Sequence, residues 1–254
     1  MKKIRNEDAF LELLRCGMWG TVPDLKYFEG LTEFDWLEIY MIAGKQTVLG
    51  LCLKPILDLP NNVKPPTKLL LQWVGLNRYI EATNYKMLQT WNELKTRFET
   101  EGITPVLLKG LSVARWYAHP MSRQSSDIDL FIPEKFDKAI ELVKSWGLEC
   151  KHKEQHDTIV YKGVCIEIHP NVITAPFKPH LNTTLQEFKI IGDTQIRTTD
   201  PDTTSLLLLS HAGGHFMNPG IGYRFLCDWA VFLKNNYQQI NVDFVLQESR
   251  RMGM

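Results

Sequence analysis

The chain contains no stretch approaching the ~18 consecutive apolar residues that a membrane-spanning helix needs. Its opening, Met1-Lys2-Lys3-Ile4-Arg5-Asn6-Glu7-Asp8, runs from bases into acids rather than into an apolar segment. The sequence therefore predicts neither a span nor an export signal. Cysteine is sparse and scattered: Cys16, Cys52, Cys150, Cys165 and Cys227 are an odd five without a CxxC pair, which argues against a disulfide framework or a zinc knuckle and fits a reducing cytoplasm. Neither sign of charge is in excess, since 29 Lys and Arg face 29 Asp and Glu. No global field draws the protein to a membrane surface, and long nucleic acid is disfavoured as a partner. Repeats, low-complexity segments and the spacing of a Walker loop are missing as well.

What is present is an ordinary globular composition, and 254 residues suffice for one large or two modest domains. Up to about residue 101 the apolar spacing is helical, as in Phe10, Leu11, Leu13 and Leu14, with prolines at 55, 60, 65 and 66 as punctuation. Residues 66–100 read as one long helix stopped by Gly102. From Ile103 short β-rich runs alternate with helical ones. Strands are expected at 104–108, 127–132, 148–152, 158–162 and 164–169, the last two joined as a hairpin at Gly163, with helices at 111–118 and 134–146. A further hairpin is expected within 188–199 through Gly192-Asp193. Helices then resume at 202–216, capped by Asp202 or Thr203, and at 223–234. A final helical segment, 242–252, stops without an evident cap or packing partner, which reads as a truncated end. The predicted fold is α+β: residues 1–101 a helical region, 102–176 a small mixed-sheet core, and 177–254 a hairpin followed by helices.

The chemistry concentrates in the sheet segment. In Ser125-Ser126-Asp127-Ile128-Asp129-Leu130-Phe131-Ile132, strand alternation turns Asp127 and Asp129 to one face and Ile128, Leu130 and Ile132 to the core. Two carboxylates so placed repel unless a cation lies between them. Hard, oxygen-seeking magnesium, completed by substrate phosphates, is the usual solution. In Val164-Cys165-Ile166-Glu167-Ile168-His169 the same alternation sets Cys165, Glu167 and His169 opposite the core. Beside the Asp127 strand, Glu167 would complete a three-carboxylate cluster able to hold two metal ions. The bland alternative is a solvated acidic face on a half-exposed sheet.

Upstream, Val106-Leu107-Leu108-Lys109-Gly110-Leu111-Ser112 is a strand turning through glycine into a helix, a junction that offers backbone N–H groups, the Lys109 charge and the Ser112 hydroxyl to a phosphate. Arg123, four residues before Asp127, has the forked donor set that suits phosphate oxygens. His169 either assists a metal or phosphate or closes its strand as a structural residue. His211 and His215 stand at metal-sharing i, i+4 spacing, though Gly213-Gly214 between them favours close helix packing near the nucleotide cleft. Arg224 and Asp228, one turn apart, suggest an ion pair.

Taken together, Leu107-Leu108-Lys109-Gly110, Arg123, Asp127-Ile128-Asp129-Leu130 and Ile166-Glu167-Ile168-His169 resemble the uncharacterised bacterial nucleotidyltransferase family of the DNA polymerase β-like superfamily. The segment 206–228 resembles that family's C-terminal helical portion. The resemblance implies that Gly110 and Ser112 lie in a phosphate-binding turn and that Asp127, Asp129 and Glu167 are metal-binding catalytic carboxylates. It implies two Mg²⁺ ions, with Mn²⁺ as a substitute. The implied reaction transfers a nucleoside monophosphate from ATP or another NTP to an unidentified hydroxyl on a small molecule, a protein or an RNA end, with loss of pyrophosphate. Two alternatives stand beside it: a non-catalytic nucleotide-binding or toxin-antitoxin module, and a DxD glycosyltransferase.

Overall fold

Gly102, Gly147 and Gly163 fix three chain reversals, each with a positive φ (69°, 77° and 74°) that ordinary residues adopt at a cost. The first ends a 34-residue helix, the second ends an amphipathic helix and the third turns a hairpin. The computed structural model describes residues 5–173, 183–188, 194–216 and 221–254. Its helices are α1 (Asn6–Trp19), α2 (Glu33–Lys45), α3 (Leu49–Asp58), α4 (Thr67–Thr100), α5 (Lys109–Ala114), α6 (Phe136–Ser145), α7 (Pro201–Phe216), α8 (Tyr223–Asn236) and α9 (Val242–Arg251). The strands are β1 (Val106–Leu108), β2 (Ile128–Phe131), β3 (Cys150–His152), β4 (Asp157–Tyr161), β5 (Val164–His169), β6 (Thr183–Phe188) and β7 (Thr194–Thr199).

These elements form two compact units. The first gathers residues 1–84, 116–124 and 222–231 and is helical. Phe10, Phe28, Trp36 and Trp73 are almost wholly buried. The Trp73 indole N–H donates to the Leu49 carbonyl at 2.8 Å, so the largest side chain of this core is satisfied as well as buried. Pro55, expected to punctuate, lies inside α3. It leaves the Leu51 carbonyl without the amide four residues on that would normally bond it. That carbonyl is pressed against Gly17 of α1, where any Cβ would overlap it.

The second unit comprises residues 85–115, 125–221 and 232–254. Its five-stranded mixed sheet has the order β1-β2-β5-β4-β3, with β2 and β5 parallel and all other neighbours antiparallel. One face buries Ile128, Leu130, Ile159, Ile166 and Ile168. The later half of α4 serves this unit: Glu93 accepts a hydrogen bond from the Tyr161 hydroxyl at 2.8 Å, and Arg97 lies over the Trp146 ring. Val106, Leu108 and Phe131 pack with Leu206 and Leu207 of α7 and Val245 of α9. β6 and β7 pair antiparallel, but β6 runs ahead of the 188–199 span in which the hairpin is expected and shares only Phe188 with it; the Gly192-Asp193 turn and the expected end of the sheet region near residue 176 lie outside the described residues.

The structure corrects three local expectations. The α7 cap is Asp200, whose carboxylate accepts from the Asp202 and Thr203 amides at 3.0 and 3.1 Å, rather than Asp202 or Thr203. α9 does not simply stop: Gly253 follows it with a positive φ of 78°, the Met254 amide donates to the Ser249 carbonyl at 2.9 Å, and Val245 is buried. The helix expected at 111–118 is shorter, ending at Ala114. No described helix is long and apolar enough to cross a membrane.

Candidate active site

The site is built where β2 and β5 run side by side. Their parallel register sets Asp129 directly beside Glu167 and Phe131 beside His169. Since side chains two apart share a face, Asp127, Asp129, Glu167 and His169 emerge on the same side of the sheet. The described strand begins at Ile128, so Asp127 stands at its lip, half-buried, while Asp129 is buried. On the neighbouring strand, Leu108 pairs with Asp129, and the next residue, Lys109, places its ammonium 2.9 Å from Asp129 Oδ1. His169 Nε2 reaches the same oxygen at 3.1 Å. The cation that the doublet requires is thus partly supplied by the chain itself.

The electrostatics follow this arrangement. Burial pushes Asp129 upward, but the His169 hydrogen bond and the Lys109 charge outweigh it and hold the carboxyl at about 2. Asp127 is raised instead, first by burial and then by the Asp129 charge, with Glu167 adding to it. Glu167 is lowered by its contact with His169. For His169 burial favours the neutral form, yet Asp129 and Glu167 together raise its pKa. Asp129 is therefore held in its ionised form, while the surroundings of Asp127 disfavour its charge, an effect that a bound cation would offset.

A residue that the sequence reading missed completes the face. His156 lies just before β4, and continuing the Asp157↔Ile168 register by one step sets it opposite His169. Its Nε2 lies 3.2 Å from Glu167 Oε1 without the alignment of a hydrogen bond, and the two imidazole centroids are 5.0 Å apart. A histidine in a loop carries no signal of its own; only the pairing of β4 with β5 brings it in.

The turn at Lys109-Gly110, where the sequence places phosphate binding, is kinked. Lys109 (φ 25°) and Gly110 (φ 45°, ψ −113°) both depart from helical backbone. The strand therefore enters α5 through a strained kink rather than through a clean helix start. Ser112 is buried, with 2 % of its surface exposed.

Arg123 requires a larger correction. It is buried with its guanidinium on Asp228, Nε and Nη2 donating to the two carboxylate oxygens at 2.8 and 2.6 Å. The Tyr117 hydroxyl donates to Asp228 as well. A guanidinium committed to a buried carboxylate is not presented to a triphosphate, and the expected role for Arg123 is withdrawn. The expected Arg224–Asp228 pair gives way to the same arrangement, with Arg224 donating to the Gln124 carbonyl at 2.9 Å. His211 and His215 meet edge to face with centroids 4.8 Å apart. Of the glycines between them, Gly213 is approached by the Met254 side chain.

Asp127, Asp129 and Glu167 offer oxygen alone, which suits a hard divalent cation such as magnesium, but among the described residues the ligand atoms that converge within 4.8 Å are those of His156, Glu167 and His169. Among solved structures, the antibiotic-resistance factor ANT(2'')-Ia shares the fold at a TM-score of 0.51 and 10% identity, with 66% of this chain and 93% of that one covered. An antigenic nucleotidyltransferase-like protein from Paracoccidioides brasiliensis matches at a TM-score of 0.41 and 13% identity, over 59% of this chain and 76% of that one. No curated protein matches the sequence. The family described as uncharacterised nucleotidyltransferase matches residues 32–254. Since that match takes in most of the chain, together with the doublet, the Glu167 strand and the helices after them, the protein belongs to the uncharacterised nucleotidyltransferase family.

Proposed function

We propose that the protein is a metal-dependent nucleotidyltransferase that moves a nucleoside monophosphate from an NTP to a hydroxyl acceptor. The observation that carries this reading is the register of β2 against β5, which sets Asp129 beside Glu167 with Asp127 on the same face. Asp127, Asp129 and Glu167 would hold Mg²⁺, or Mn²⁺ in its place. When bound, the metal supplies charge neutralisation at the triphosphate and at the attacking oxygen. The acceptor oxygen forms a bond to the α-phosphorus, the bond to the β-phosphate oxygen breaks, and its electron pair leaves with pyrophosphate. The acceptor proton passes to a carboxylate of the cluster. Positioning and charge stabilisation carry the rate, as in phosphoryl transfer generally. Lys109 neutralises Asp129 in the absence of nucleotide and meets the phosphates in its presence, while Gly110 lets the backbone of the turn approach them.

The test is release of pyrophosphate from each of the four NTPs with Mg²⁺, compared between the wild type and Asp127→Asn. Loss of roughly 100-fold or more in the variant is expected, equivalent to about 2.7 kcal/mol of transition-state stabilisation. Equal rates in the two proteins would overturn the reading. The Lys109–Asp129 ion pair favours one alternative, a nucleotide-binding module in which lysine replaces the metal. Tight NTP binding without any pyrophosphate release would select it. A DxD glycosyltransferase leaves Glu167 without a role, and radiolabel transferred from a UDP-sugar rather than from the α-phosphate of an NTP would be its mark.

A further inference from the structure

Both oxygens of Glu167 are turned toward imidazoles. Oε1 lies 3.2 Å from His156 Nε2, and Oε2 lies 3.7 Å from His169 Nε2. One ligand atom from each of the three residues lies within 4.8 Å of the others. Around a tetrahedral ion with bonds of about 2.0–2.2 Å, neighbouring ligand atoms stand about 3.4 Å apart, so closing the triangle needs only small side-chain movements. His156 Nε2 is buried without the geometry of a hydrogen bond, and one further atom on this face, Thr158 Oγ1, whose residue pairs with Glu167 across β4 and β5, is buried without a hydrogen bond as well. Buried polar groups are rarely left so unless something polar joins them.

We propose that His156, Glu167 and His169 form a binding site for a divalent transition ion of the zinc class, chemically distinct from the all-oxygen end of the face at Asp127 and Asp129. Two imidazoles and a carboxylate are a zinc donor set that leaves a position open for water or substrate, whereas magnesium avoids nitrogen and seeks oxygen. Thr158 is placed to hydrogen-bond the ligating carboxylate and hold its orientation. His169 gives up its hydrogen bond to Asp129 when it ligates, and that oxygen remains beside the ion. The site rests on the active-site face described above, which it would endow with two metal positions of different preference, Glu167 standing between them.

The test uses the full chain, stripped with a chelator and titrated with Co²⁺ as a spectroscopic stand-in. Visible d–d absorption of a low-coordinate site is expected, displaced by Zn²⁺ and not by an equal concentration of Mg²⁺. His156→Ala and, independently, His169→Ala should each weaken Co²⁺ binding by at least ~10-fold. Asp127→Asn, and His152→Ala as an exposed histidine outside the cluster, should leave the band in place. Far-UV circular dichroism checks folding, and His156→Gln replaces any variant that fails it. A band that survives in both histidine variants, displacement by Mg²⁺, or no band at all would overturn the site. Absence of pyrophosphate release from any NTP would instead count against the transferase reading, so the two can fail separately.

Discussion

A buried arginine and a buried aspartate are tolerable only as a pair, and Arg123 with Asp228 forms a two-pronged one. Removing either partner strands the other. Arg123→Met should cost about 3–5 kcal/mol, while Arg123→Met combined with Asp228→Leu should be less damaging than the single change; thermal unfolding of the three proteins measures this. Glu12 offers a pH-dependent case. Its side chain is buried, its carboxylate takes two hydrogen bonds from Arg15 and one from the Asp24 amide, and its pKa is lowered, chiefly by Arg15. A lowered folded-state pKa gives stability that is present above the ordinary glutamate value of about 4.3 and lost as pH falls through the folded value. Glu12→Gln should therefore destabilise by about 1–3 kcal/mol at neutral pH, and the gap to wild type should narrow in acid. Urea unfolding at a series of pH values follows it. At this scale the sequence is legible only where neighbours are local. Alternation gives the shared face of Asp127 and Asp129, but nothing near Arg123 reveals a partner 105 residues away.

Among elements, period carries most of the information. The α4 span and the alternation of β5 follow from residue spacing, because a buried stripe or face must repeat with the geometry of its element. Features set by single polar atoms do not follow from it: Asp200 rather than Asp202 or Thr203 caps α7. His156 is the functional instance, since its place depends on which strand β4 chooses as neighbour. Helix contacts are equally specific. A methyl group at position 17 has nowhere to go but into the Leu51 carbonyl, so Gly17→Ala should destabilise by about 1–3 kcal/mol through overpacking, despite alanine's better helix propensity. Denaturant midpoints of the variant and the wild type decide this.

For the whole molecule, nucleotide binding should appear as added stability. A ligand bound only by the folded state contributes about 2.7 kcal/mol at a hundredfold excess over its Kd. An NTP with Mg²⁺ should raise the melting temperature, an excess of chelator should abolish the rise, and Asp127→Asn should show little of it in differential scanning fluorimetry. A shift of equal size with and without chelator would argue that the carboxylates are not reached through a metal. The two compact units are each assembled from separated segments, something a reading along the chain misses because composition changes only mark where one local pattern ends.

Proline in the middle of α3 has a consequence for how α1 and α3 recognise each other. By depriving Leu51 of its usual donor, Pro55 leaves an oxygen that can face outward, and the bare Cα of Gly17 is small enough to receive it. Socket and plug then lose their meaning separately. Once Gly17→Ala has evicted the oxygen, exchanging Pro55 for alanine should do little further harm, so the double variant should fall short of the sum of the two single effects.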